Sequence, residues 1–247
     1  MNTIFLVALG AAVAGFVQGL SGFAFGLVAM SFWAWCLEPR LAAVLAVFGA
    51  LLGQTVAALT VRRRVDWRML WPFLLGGLAG IPLGVMLLPQ LNMDWFKAVL
   101  GTFLVLWCPA MLLAGRLPLL RVGGRLADAL VGVAGGVMGG IGGFTGTLPT
   151  LWCTMRGYDK DVQRSVIQNF NLSMLLVTMG TYLAAGIVER ETWPMLAVVA
   201  PAMLVPSYLG ARMYVGMSEA SFRRLVLGLL IVSGIALLSS ALPRLVG

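Results

Sequence analysis

Gly139-Gly140-Ile141-Gly142-Gly143-Phe144 stands in the middle of an apolar run that covers residues 126–155, and Gly19-Leu20-Ser21-Gly22-Phe23 stands at the matching place in another, residues 3–35. At about 1.5 Å per residue, some thirty helical residues would reach roughly 45 Å. One straight crossing of a hydrocarbon core about 30 Å thick needs only about 20. Both runs are therefore too long for a single span, and both are interrupted by glycine, a poor helix former.

Working outward, six further apolar runs lie at 41–61, 69–88, 95–114, 165–187, 193–215 and 222–242, each of ordinary spanning length. The chain of 247 residues is 60% hydrophobic and 11% charged, with a mean hydropathy of +0.97. A soluble domain carries about a quarter charged residues, so a soluble fold and a disordered chain are both excluded. The first run is no cleaved signal peptide: it lacks a basic n-region and continues past Gly26 to Trp35. Trp33, Trp35, Trp67, Trp71, Trp95, Trp152 and Trp193 fall near run ends, where an aromatic belt would place them, and Trp107 does not.

The chain has no histidine, which removes serine–histidine catalysis, zincin chemistry and haem ligation by histidine. Cys36, Cys108 and Cys153 are too scattered for a CxxC site. No Walker A motif is present. No cofactor or metal is expected. The net charge of +8 is spread between apolar runs rather than over one soluble face, so it speaks for membrane orientation and not for nucleic acid.

The two halves of the chain correspond. Gly19 to Phe23 matches Gly140 to Phe144, the Trp67-to-Gly84 interval matches Trp193 to Gly210, and Lys97 with Gly101 matches Arg224 with Gly228. The expected organisation is a first membrane repeat at 1–115, a basic cytoplasmic linker at 116–125, and a second membrane repeat at 126–247. If all eight runs crossed once, the 17 Lys and Arg residues would divide almost evenly between the two faces. If runs one and five instead enter and return, only Arg40, Lys97, Arg190 and Arg244 lie on one face, and the other takes the rest. The positive-inside rule prefers this second arrangement. The expected fold is an all-α polytopic membrane protein of two inverted repeats, each a re-entrant, glycine-rich broken-helix hairpin plus three transmembrane helices. Its N-terminus is expected in the periplasm.

Backbone that leaves a helix inside hydrocarbon must be buried in protein or line a wet cavity. A returning half-helix aims free N–H groups and a positive dipole end inward, which suits an anion without a buried cation. The candidate half-helix starts are Ser21-Gly22-Phe23 and Gly143-Phe144-Thr145, two tips that would meet near the centre. Among polar residues within the spans, Gln18 adjoins the first tip, and Gln168, Asn169 and Asn171 place three amides within about one helical turn. Amides can solvate an oxyanion. Read more plainly, Gly15/Gly19, Gly22/Gly26 and Gly139/Gly143 are spacings that also serve close helix packing, and polar residues in spans also bridge helices.

Along Gly139-Gly140-Ile141-Gly142-Gly143-Phe144 through Pro149, and along Gly15-Phe16-Val17-Gln18-Gly19-Leu20-Ser21-Gly22-Phe23, the sequence resembles the sulfite exporter TauE/SafE family of membrane transporters. Size, two halves, a basic mid-chain join and a Pro-Gly element in each third run extend the resemblance over nearly the whole chain. It implies an inner-membrane, multi-pass transporter that exports sulfite or an organosulfonate such as sulfoacetate. The expected function is thus secondary transport of a small anion by alternating access. The expected partners are that anion and the lipid bilayer; self-association into a homo-oligomer stays open. Two other classes compete with this one. Gly19-Leu20-Ser21-Gly22 looks like the motif of a rhomboid-type protease, yet Ser21 has no base to activate it. The alternative that stays open is a membrane scaffold or subunit of a larger complex, with no transport activity of its own.

Overall fold

A computed structural model describes residues 3–21, 24–60, 65–114, 119–120, 123–213 and 219–246. They form ten α-helices: α1 (Thr3–Ser21), α2 (Phe25–Trp33), α3 (Pro39–Thr60), α4 (Trp67–Leu87), α5 (Met93–Leu113), α6 (Gly124–Gly142), α7 (Thr147–Met155), α8 (Lys160–Ala184), α9 (Trp193–Met213) and α10 (Glu219–Val246). No strand occurs among the described residues. The segments containing α1, α3, α4, α5, α6, α9 and α10 are long and apolar enough to cross a membrane. At 25 residues α8 has the length, but its polar content sets it apart. The protein is an all-α, multi-pass membrane protein.

The first and fifth apolar runs are each broken in two. α1 and α6 have 19 residues apiece, about 28 Å at roughly 1.5 Å per residue. α2 and α7 have nine residues and cover about half that length. Trp33, at the end of α2, packs over Gly10 in the middle of α1, so the short limb folds back along the long one. The long limbs reach further than a shallow hairpin would. Gly15 and Gly19 of α1 lie against the backbone of Met203 and Ser207 in α9, the two helices running in the same direction. Gly132, Gly136 and Gly140 of α6 likewise lie against Phe73, Gly77 and Ile81 of α4. A Cβ at any of these glycines would collide with neighbouring main chain, which is how small residues bring transmembrane helices together. The packing function of Gly15 and Gly19 is thus real.

Helix pairing respects the two halves. α1 packs on α9 and α6 on α4, each long limb against the opposite half; α5 packs on α10 and α3 on α8. Exchanging the halves leaves this set of pairs unchanged.

Contacts between chain ends sort the loops into two groups. At one end, an Arg40 guanidinium N–H donates to the Pro89 carbonyl (3.4 Å), Lys97 Nζ sits 5.1 Å from the Trp35 ring centre, and Arg244 pairs with Asp94 at 3.7 Å. At the other, Leu120 N–H donates to the Met155 carbonyl (2.8 Å), Arg125 stacks over Trp71, and Asp66 and Arg68 share a cleft with Asp161 and Ser165. Eight straight crossings would put Asp94 and Arg244 on opposite faces, and also Asp66 and Asp161. The tryptophans divide too. Trp35, Trp67, Trp71, Trp95 and Trp193 are exposed as a belt requires. Trp33 is fully buried, its ring edge-on to Phe25, because Gly10 leaves room for it.

Cysteine labelling in membranes checks this sorting. Cys36 is exposed in the turn after α2, whereas Cys108 and Cys153 are buried. Cys36 is expected to react from one face, and cysteines introduced at Asp66 and Lys160 both from the other. Partial burial holds the Cys36 thiol above its ordinary value, and the thiolate is the reactive form. Its labelling rate should therefore climb as the pH is raised. Reaction of Cys36 and the Lys160 position from the same face would restore eight straight crossings.

Candidate functional site

The turn between α6 and α7 is built by glycine. Gly143 has φ +77°, a left-handed conformation that glycine adopts without a Cβ clash. It closes α6 with two bonds, Gly143 N–H to the Gly139 carbonyl (2.9 Å) and Phe144 N–H to the Met138 carbonyl (3.4 Å). The chain then doubles back, and α7 begins at Thr147. Thr147 N–H donates to the Phe144 carbonyl, and Thr150 N–H to the Gly146 carbonyl. The N–H groups of Thr145, Gly146 and Leu148 make no backbone bond among the described residues, and Pro149 has none to offer. This is the usual set of orphan donors at a helix start, held here in a buried turn.

Three other helices fix the turn. From α5, Trp107 donates its indole N–H to the Thr147 carbonyl (3.0 Å), which accounts for a tryptophan far from a run end. Phe103 of the same helix stacks on both Trp107 and Phe144. From α8, Asn171 accepts the Thr145 hydroxyl proton (2.9 Å) and lies against Gly146. From the other half, the start of α2 arrives: a Cβ on Gly26 would stand 2.9 Å from the Gly143 carbonyl oxygen and 3.4 Å from that of Gly142. The two broken elements therefore touch, Gly26 on one side and Gly142-Gly143 on the other.

The residues singled out from sequence divide as follows. Gly143, Phe144, Thr145 and Asn171 come together at this turn. Gln18 lies in α1 and is 3% exposed; its carbonyl oxygen accepts the N–H of Phe25, first residue of α2 (3.0 Å), so it caps the first short limb. Ser21 ends α1 and returns its hydroxyl to the Val17 carbonyl (2.8 Å). Gly22 and Phe23 lie outside the described residues. Gln168 is half-buried on α8, while Asn169 donates back to the Ser165 carbonyl of its own helix (2.8 Å).

Sequence reading passed over a seam further along α8. Thr178 and Tyr182 are fully buried and follow Asn171 by seven and eleven residues, which keeps all three on one helix face. Tyr182 donates its hydroxyl to the Gly140 carbonyl (2.7 Å). The Thr178 hydroxyl has no hydrogen-bond partner, a state that costs about 1–3 kcal/mol for a buried polar group. The periodicity was available in the sequence; its importance depends on what α8 faces. Beyond Phe144 lies a cavity of about 230 Å³ lined by Phe96, Val99, Leu100, Phe103, Met138, Ile141 and Phe144, all apolar and unsuited to an anion.

Buried free N–H groups with hydroxyl and amide side chains, and no buried cation in contact with them among the described residues, make a setting for a small oxyanion. The comparisons with known proteins agree in kind. The sulfite exporter TauE/SafE family model matches residues 7–237. The chain belongs to the sulfite exporter TauE/SafE family. It is also 26% identical over 240 residues, 92% of this chain and 90% of the other, to a probable sulfite/organosulfonate exporter TauE of Cupriavidus necator. No solved structure matches. As a TauE/SafE protein the chain is a multi-pass membrane transporter of exporter type, not an enzyme.

Gly143 gives a test of the turn. Gly143→Asn tolerates the left-handed conformation and should preserve folding more fully than Gly143→Val. A β-branched residue there is strained, and even a Cβ would stand 3.3 Å from Val47 of α3. A penalty on the order of 1–3 kcal/mol is expected for valine, read as a lower melting temperature in detergent. Equal melting of the two variants would show that the left-handed turn is not what needs glycine.

Proposed function

We propose that the protein exports a small sulfur oxyanion, sulfite or an organosulfonate such as sulfoacetate, across the bacterial inner membrane by alternating access. The observation that carries this reading is the buried start of α7, where three main-chain N–H groups have no backbone acceptor among the described residues. Thr145 and Asn171 complete the second-half side of the site, and Gln168 one turn earlier on α8 faces the approaching anion. On the first-half side Ser21, Gly22 and Phe23 are the assigned contacts, the last two outside the described residues, and Gln18 holds the start of α2 in line. An oxyanion bound by dipoles alone is released more easily than one fixed by a buried Arg or Lys, as a transported solute must be.

The halves, 1–115 and 126–247, are read as inverted repeats with the basic linker 116–125 in the cytoplasm and the N-terminus in the periplasm. Support comes from the charge distribution and from helix pairing that survives exchange of the halves. Each long limb packs on the opposite half, so rocking one half against the other would slide the contact between Gly26 and Gly143. That contact is the natural gate.

Purified protein in vesicles with labelled sulfite and sulfoacetate tests the function. Saturable flux with counter-transport is expected for at least one of them. Non-saturating flux would mean a channel. Absence of flux from folded protein would mean a scaffold. Gln168→Ala is expected to raise the KM of the carried anion more than Gln54→Ala, which removes a buried amide of α3, and the reverse order would move the site towards α3.

A further inference from the structure

Threonine hydroxyls inside these helices have an easy outlet. Those of Thr55, Thr60, Thr150, Thr154 and Thr181 all donate to the carbonyl four residues earlier. Thr178 forgoes that outlet. Its hydroxyl is fully buried and bonded to nothing, although the Met174 carbonyl stands four residues back on its own helix. A Cβ placed on Gly139 would lie 3.7 Å from Thr178 Oγ1 and 2.5 Å from Thr145 Cγ2. The unpaired hydroxyl thus lies beside Gly139, on the side where the Thr145 methyl group also packs, next to the turn in which the N–H groups of Thr145 and Gly146 make no backbone bond among the described residues. Two independent shortfalls lie close together there: main-chain donors without a backbone acceptor among the described residues, and a side-chain hydroxyl without its ordinary acceptor.

The comparison of halves sharpens the point. Setting Gly19 on Gly140 sets Ala57 of α3 on Thr178, and Ala50 on Asn171. Ala50 is buried and Ala57 partly buried, and neither carries a hydroxyl. The hydroxyl is therefore not something the repeat architecture needs.

We infer that Thr178 is a substrate-contact residue, whose hydroxyl donates to an oxygen of the bound oxyanion beside the start of α7 and helps select oxyanions over halides. The inference rests on the transport reading above. A halide is spherical and can satisfy the main-chain donors alone. A sulfite or sulfonate group spreads its charge over three oxygens, and an added donor on the α8 side engages one that the turn cannot reach.

The test uses the full-length protein in vesicles, with labelled sulfite as probe, and compares wild type with Thr178→Val and Thr178→Ser. Valine keeps the shape and removes the donor; serine keeps the donor. The expected result is a KM for sulfite raised about tenfold or more in Thr178→Val, the size of one hydrogen bond to a charged group. Thr178→Ser should stay within about threefold of wild type, a spread small beside that loss. Melting of Thr178→Val in the absence of anion should be unchanged or higher, because an unpaired buried hydroxyl is gone. Unaltered KM in Thr178→Val, or equal loss in both variants, would overturn the inference while leaving the transport reading intact. Wild-type protein that carries no anion would sink both. Should Thr178→Val not yield folded protein, Thr178→Ala takes its place in the same comparison.

Discussion

Inside hydrocarbon an unpaired peptide group has no water to turn to, so a helix can break only where the rest of the protein receives its ends. The whole architecture follows from two such breaks. Each long limb is fastened along a glycine face to a helix of the opposite half, α1 to α9 and α6 to α4. This fastening allows the short limbs α2 and α7 to return through the interior instead of through lipid. Several ends find partners: Gln18 caps α2, Gly143 closes α6, and Trp107 takes the Thr147 carbonyl. At the start of α7 the N–H groups of Thr145, Gly146 and Leu148 have no backbone acceptor among the described residues, and donors in so closed a setting are where chemistry with a solute is possible.

Two similar halves do not make two equal sites. The first-half break is capped by an amide from its own long limb, and α3 meets it with Gly49 beside Phe25 and Gly53 beside Gln18. The second-half break meets α8, where Asn171 accepts from the Thr145 hydroxyl and Thr178 is buried beside Gly139. α8 gives up hydropathy to do this, and it is the long helix that composition alone would not assign to the membrane. On the repeat reading proposed above, α8 is the helix that departs from its counterpart by carrying polar side chains beside the second break.

Much of this was legible in the residues. Length and hydropathy specified a helical membrane protein. Glycine at the middle of two overlong runs specified the breaks, and the scatter of arginines argued for hairpins. The cluster of amides on α8 pointed to the helix that meets the second break, and Thr145 to a residue within that turn. Other features depend on three-dimensional partners that no local pattern encodes. Trp33 has the sequence position of a belt residue and is buried only because Gly10 faces it. Asn169 sits between two residues of interest, yet helical geometry turns it back on the Ser165 carbonyl. Thr178 resembles any threonine in a span until its hydroxyl is seen to lack the carbonyl that its neighbours use. The depth of the long limbs was also hidden, since it is decided by glycines of one half matching backbone of the other.

The central claim is that main-chain donors at the second break hold the anion. A structure of the protein with sulfite bound measures this most directly. The account predicts density for the anion at about 3 Å, hydrogen-bond distance, from the N–H groups of Gly146 and Leu148, with no Arg or Lys side chain in contact. Sulfite lodged instead in the Asp66–Ser165 cleft, paired with Arg68, and an empty start to α7, would contradict it.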